Sequence, residues 1–300
     1  MRYPSLLRTD PPSPTRAVVG VAAALVLYLV VSAVVSSTVV AVGYLVEQPG
    51  TADTAYRVSA ANYERPVGML ASTLAIAAVI PVCWLLITRL HRVPFRWLSS
   101  VQPGLRWRYL FLCLGVAAVI LYSIAAIPAA AGPVVTFRPQ SGFVGFAVVI
   151  VLVTPLQSAA EEYLFRGYLL QAMGSWFASP WFGVVFSSVL FAAFHGGQNL
   201  PLFLDRLGFG LLAAVLVLKT GGLEAGIAAH IVNNVGAYTV AGLTASIAEL
   251  RAVRSLGWVD ALVDVAGFAA FTLAAILIAR LLRLRVTTPA GPGLLQRATT

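Results

Sequence analysis

The chain has 300 residues, 59% of them hydrophobic and only 10% charged, with a formal net charge of +9 and a mean hydropathy of +0.88. An ordinary soluble domain carries about 25% charged residues, so this chain cannot cover a water-facing surface and reads as an all-α, polytopic membrane protein in contact with the lipid bilayer. The excess of arginine is not a nucleic-acid footprint: no basic face is interleaved with aromatics, and the arginines gather at the ends of apolar runs, where membrane topology puts them.

A helical span needs about 20 apolar residues, and eight candidates follow one another along the chain. The first covers 17–46, uncharged, and is too long for a signal-peptide core of about 7–15 residues, so it is expected to be retained. The second covers 67–88 and the third 109–128. Between them, residues 92–107 mix Arg92, Arg96 and Arg106 with Phe95, Trp97 and Trp107, the pattern of an amphipathic segment lying on the membrane surface; His91 reads as interfacial beside it. The fourth span begins at Phe143 and runs past Pro155, which can kink or divide it. The fifth covers 181–195, the sixth 201–218 with Asp205 and Arg206 inside it, the seventh 225–248 and the eighth 261–279. Lys219-Thr-Gly-Gly222 reads as a turn between spans, and the two Cys residues, Cys83 and Cys113, as small core hydrophobes. Residues 1–14 and 287–300 read as solvated tails.

With eight spans, the arginine-rich N-terminus, the connection after the second span and the C-terminus share one side, which the positive-inside rule makes cytoplasmic. Arginine used almost to the exclusion of lysine, with abundant Ala and Val, points to a GC-rich bacterial genome and so to a bacterial plasma membrane. The chain divides into N-terminal membrane helices (1–142, three spans), a core at 143–241, and a last helix with a polar tail at 242–300.

Within that core, Glu161, Glu162 and Arg166 lie in a stretch too apolar to carry charge idly, since insertion scales charge about 2.5–3.5 kcal/mol for such groups. Glu162 and Arg166 are four apart and share a helix face, in the favoured order for an ion pair. Glu161 lies about 100° around the helix and has no partner nearby in sequence, which suits it to act as a general base. Phe191 and His195 are four apart, as are His230 and Asn234. Two histidines and a glutamate from three helices suffice to bind a divalent metal or to hold a water. Asn is a poor zinc ligand, so Asn234 reads as a hydrogen-bond donor to an oxyanion.

Glu161-Glu162-x-x-x-Arg166, Phe191-x-x-x-His195 and His230-x-x-x-Asn234, in this order on separate helices, resemble the CPBP intramembrane proteases, the family of type II CAAX prenyl endopeptidases and bacteriocin-processing or immunity proteins. The resemblance covers about 143–241. It implies an intramembrane endopeptidase acting on a peptide or membrane-protein substrate, in which Glu161 activates water, His195 and His230 hold the metal or the water, Asn234 steadies the tetrahedral intermediate, and Glu162 with Arg166 braces the site. Zinc bound by His195, His230 and Glu161 and a metal-free glutamate mechanism are both compatible with these residues; the His-Glu-x-x-His zinc-protease signature is absent. The alternatives are a non-catalytic scaffold or immunity factor of the same fold, and a proton-coupled transporter, against which the lack of inverted repeats argues.

Depth poses a difficulty. If the fourth span ends at Arg166, Glu161 is shallow, whereas His195 lies about 22 Å into its helix. Either Pro155 divides the fourth segment, leaving a reactive helix over about 158–174, or the limits of the fifth span are wrong.

Overall fold

The computed structural model describes residues 1–9, 13–131, 136–177 and 179–288. It is helical at all eight expected positions. We number the helices α1 (Pro14–Glu47), α2 (Asp53–Ala61), α3 (Pro66–Leu90), α4 (Trp107–Ala131), α5 (Phe143–Leu152), α6 (residues 154–176), α7 (Pro180–Ala193), α8 (Leu200–Thr220), α9 (Glu224–Thr244), α10 (Ile247–Ala252) and α11 (Trp258–Leu281). Proline opens the first turn of α1, α3, α6, α7 and α8, where its missing N–H costs nothing and its fixed φ favours the helix.

Among the described residues, six helical rods are long and apolar enough to cross a membrane: α1, α3, α4, the α5–α6 rod, α8 and α11. The protein is therefore an integral membrane protein. Of the two other expected spans, α7 has only 14 residues, and α9, at 21 residues, is made polar by Glu224, His230, Asn233 and Asn234. Large apolar residues on α1, such as Val26, Leu29 and Val30, remain exposed, as a lipid-facing surface requires. Small residues at Ala17, Gly20 and Ala24 make its buried face.

The helices alternate between two faces of the bundle. One face gathers the N-terminus, the segment after α3, the α6–α7 and α8–α9 turns and the end of α11. The other gathers the α1–α2 and α2–α3 turns, residues 136–142 before α5, the α7–α8 connection, and α10. At the second face the backbone N–H of Arg138 and Gln140 donate to Leu243 and Gly242, and that of Asn199 donates to Arg254.

The fourth segment resolves the depth difficulty. Its helix breaks at Val153 (φ −107°, ψ −37°), just before Pro155. The second half then continues beyond Arg166 to Trp176, so Glu161 lies fifteen residues before Trp176 and His195 fifteen after Pro180. At 1.5 Å per residue both are about 22 Å from the same face. Between Tyr163 and Leu169 the helix widens into π-helical turns, a feature that recurs at functional sites.

Two expectations are overturned at the first face. The N-terminus is no solvated tail: Tyr3–Ser5 forms a 3₁₀ turn, Tyr3 and Leu6 are each 1% exposed, and the Tyr3 hydroxyl donates to the Leu98 carbonyl at 2.5 Å. A buried ring with a satisfied hydroxyl outweighs the cost of ordering the segment. Of the two expected tails, residues 10–12 and 289–300 lie outside the described residues. Nor does 92–107 merely rest on the surface: Arg92, Arg96 and Trp107 are exposed, but its middle is built into the bundle. Trp97 and Leu98 are buried, the Trp97 carbonyl accepts from Gln171 Nε2, and Ser99 Oγ is 2.8 Å from Tyr163 Oη. His91, expected at the interface, is buried with Nε2 3.0 Å from Tyr168 Oη. The segment is fastened by Arg106, whose backbone and guanidinium N–H groups donate to the fully buried Glu224 and whose Nη1 donates to the Thr220 carbonyl. The turn it grips is Gly221-Gly222. Gly221 is left-handed (φ +75°), and a Cβ on Gly222 would sit 2.4 Å from both Arg106 and Glu224.

Candidate active site

Helices α6 and α9 run antiparallel against each other and carry most of the site. Glu162 and Arg166 are both fully buried, and Arg166 Nη1 donates to Glu162 Oε1 at 3.0 Å, as their spacing predicts. The guanidinium lies over the Phe191 ring at 4.1 Å and near that of Phe209 at 5.2 Å, a cation–π setting that partly offsets its desolvation. Two glycines make room for the pair. A Cβ on Gly226 would come within 2.8 Å of Glu162 Oε2, and one on Gly210 within 3.2 Å of Arg166 Nη2.

His230 joins the two glutamates. Its Nδ1 is 2.9 Å from Glu162 Oε1, and its Nε2 is 3.0 Å from Glu161 Oε2. Glu161 has no partner nearby in sequence, as expected; the one it meets arrives from a distant helix. Carboxylates only accept, so both bonds together call for a proton on each ring nitrogen. With both in place, two carboxylates and two cations sum to zero, the balance a desolvated cluster favours. Glu161 keeps an opening, its side chain being 11% exposed against none for Glu162. Its Oε1 makes no hydrogen bond among the described residues.

His195 stands on the connection after α7 and is exposed. Its Nδ1 is 2.8 Å from the Phe191 carbonyl. A carbonyl cannot donate, so Nδ1 carries the proton and Nε2 of the neutral ring carries the lone pair. The connection is braced by groups that local sequence did not single out. Gln198 Nε2 donates to the Ala192 carbonyl, and Arg206 Nη1 to Gln198 Oε1 at 2.6 Å. Asn199 caps α8 and also bonds Leu256 through its side chain. Arg206, inside the sixth expected span, thus serves the loop that presents His195.

The expected metal set of Glu161, His195 and His230 is only partly gathered. Glu161 and His230 meet, but both ring nitrogens of His230 are turned to carboxylates and leave no lone pair for a cation. Among the described residues no group of three or more His, Cys, Asp or Glu is close enough to hold a metal ion. The residues in this arrangement do not fit a zinc site.

Asn234, expected as an oxyanion donor, has its amide engaged. Nδ2 donates to Gln157 Oε1 at 3.2 Å and to Ser158 Oγ at 3.4 Å, while Oδ1 accepts from Asn233 at 3.2 Å. Gln157 was legible only as a polar residue one turn before Glu161. Asn233 is exposed and touches the network through Asn234 alone.

Residues 140–236 match the family model described as Rce1-like, type II CAAX prenyl endopeptidase. The class is an all-helical membrane protein, of which residues 140–236 are similar to that family. A curated relative, the uncharacterised protein YyaK of Bacillus subtilis (strain 168), is 26% identical over 164 residues, 52% of this chain and 55% of that protein. The chain thus spans about half the length of the curated relative it matches. No solved structure matches.

Proposed function

We propose that the protein is an intramembrane endopeptidase in which Glu161 is the general base. The observation that carries this reading is the contact between Glu161 Oε2 and His230 Nε2 at 3.0 Å, on a carboxylate that keeps an opening while its neighbour Glu162 is sealed. His230 holds one oxygen of Glu161 and leaves Oε1 for a water. Glu161 takes a proton from that water as its oxygen adds to the scissile carbonyl. The carbonyl oxygen becomes an oxyanion, met by the side-chain amides one turn away. Glu161 then returns the proton to the leaving nitrogen as the C–N bond breaks. The exposed His195, its Nε2 lone pair set by the bond at Nδ1, positions the water. Glu162 and Arg166 never touch substrate; they hold His230 in register. The Rce1-like match supports a substrate whose cleavable end lies near a lipid anchor.

The test is wild-type protein in proteoliposomes, offered an S-farnesylated, internally quenched CaaX-type peptide and its unprenylated counterpart, with Glu161→Gln beside it. Cleavage by wild type and its loss in Glu161→Gln by about 100-fold or more is the expected result. Equal cleavage by both would sink the reading. Cleavage of neither peptide, in folded protein, would favour a non-catalytic scaffold.

A further inference from the structure

A cavity of about 300 Å³ opens at the second face, away from the reactive glutamates. Helices α1, α2, α3 and α10 and the α2–α3 turn enclose it, and α3 packs between α1 and α6, so the cavity stands apart from the site described above. The polar side chains on its wall are Ser36, Ser37, Arg57, Tyr63, Ser72 and Arg251. Among the described residues, no carboxylate lines it.

Both arginines keep donors to spare. Arg57 Nε donates to Asp53 at 2.7 Å, while its two amino groups make no hydrogen bond among the described residues. The Arg251 side chain makes no hydrogen bond or ion pair among them; its guanidinium lies 5.4 Å from the centre of the Tyr63 ring, within cation–π range. Tyr63 is held there under strain. Its φ is +59°, a region that bulky side chains rarely enter, yet its ring is buried and its hydroxyl bonds Ser72 Oγ. The serines of α1 also stand out. A Ser or Thr inside a helix commonly returns its hydroxyl to a carbonyl one turn back, as Thr38 does to Val34. Ser36 and Ser37 make no such bond among the described residues, which leaves their hydroxyls to the cavity.

The cavity also lies at a particular depth. Helix α1 has 34 residues, about 51 Å at 1.5 Å per residue, against a hydrocarbon layer of about 30 Å. Ser36 stands 20 residues beyond Arg16, and Ser72 stands 17 before Arg89. Both counts, about 26–30 Å, reach the far boundary of that layer, where lipid phosphates sit. Helices α2 and α10 bring Arg57 and Arg251 to the same boundary from the second face.

We infer that this cavity binds the headgroup of an anionic glycerophospholipid. The phosphodiester oxygens accept from the Arg57 and Arg251 guanidinium groups, whose forked N–H donors match phosphate. The serine hydroxyls donate to the ester carbonyls that follow the phosphate. A zwitterionic headgroup would bring a further cation up to two arginines, so the anionic class is favoured. Lipid capture here is independent of any peptide cleavage.

The test titrates dioleoylphosphatidylglycerol into delipidated full-length protein in non-ionic detergent and counts bound lipid by native mass spectrometry. Dioleoylphosphatidylcholine and soluble glycerol 3-phosphate are run beside it. Wild type should saturate at one phosphatidylglycerol per chain and bind phosphatidylcholine at least about 10-fold more weakly. Arg251→Gln should weaken phosphatidylglycerol binding by about 10-fold or more, the worth of one charge-assisted hydrogen bond. Arg138→Gln removes the same charge from an exposed position on the same face outside the cavity and should bind as wild type. Ser37→Trp, also at an exposed position, fills the cavity with both arginines in place and should lose the lipid. Unchanged melting without lipid shows that each variant is folded. Equal losses in Arg138→Gln and Arg251→Gln would reveal diffuse charge attraction and overturn the inference. So would equal binding of phosphatidylcholine, or wild-type binding by Ser37→Trp. Glycerol 3-phosphate held as tightly as phosphatidylglycerol would overturn the assignment to a lipid.

Discussion

The buried pair between Glu162 and Arg166 offers the sharpest test of how the bundle is held. Both side chains are fully buried and the contact is 3.0 Å. At that distance two unit charges attract by about 5.5 kcal/mol for an effective dielectric of about 20. Replacing Arg166 with Met keeps much of the volume between Phe191 and Phe209 but removes the cation. Glu162 is then left with His230 as its remaining charged partner. Breaking one side of a buried pair costs about 3–5 kcal/mol, mostly the penalty of the abandoned charge. At about 2–4 °C per kcal/mol for chains of 150–250 residues, Arg166→Met should lower the apparent melting temperature by roughly 6–20 °C. Intrinsic tryptophan fluorescence in detergent reports the transition. Adding Glu162→Gln to Arg166→Met should recover part of the loss, because the stranded charge goes with it. A shift under about 2 °C for Arg166→Met, or a double variant less stable than the sum of the singles, would refute the reasoning.

Three further outcomes follow from particular contacts. Arg106→Gln strips the fully buried Glu224 of its cation and should destabilise by about 3–5 kcal/mol, partly recovered by adding Glu224→Gln, again read by melting. Gly226→Ala puts a methyl 2.8 Å from Glu162 Oε2, so the carboxylate must shift and His230 with it. Cleavage should fall by about 100-fold, the cost of roughly 1 Å of misplacement, while the fold survives; unchanged turnover would contradict the bracing role. Elemental analysis of purified protein should find no stoichiometric metal, because His230 has no free nitrogen to offer; about one zinc per chain, lost in His195→Ala and in His230→Ala, would require the ring to leave its carboxylates and would overturn the metal-free step.

Much of the architecture could be read from the chain because it obeys local rules. Apolar runs marked the helices, and a spacing of four put Glu162 and Arg166 together. What escaped was non-local. His230 reaches Glu161 across 69 positions, so no window of sequence could reveal that both glutamates are tied to one ring. Tyr3 and His91 carry interfacial chemistry yet are buried, because the side chain of each finds a hydrogen-bond partner on another element. The widened turns at Tyr163–Leu169 left no mark in the hydrophobic period.

The two glutamates also differ in time. Glu162 leaves the ribosome with Arg166 four residues behind it, so the pair can enter the bilayer together. Glu161 waits for His230. Synthesis at about 5–20 residues per second puts a delay of roughly 3–14 s on the 68 residues between Glu162 and His230. During it α6 holds an acid with no counterpart in lipid. The arrival of α9 thus completes the charge balance of a helix made seconds earlier, and a nascent chain stalled before residue 230 holds that acid unmatched.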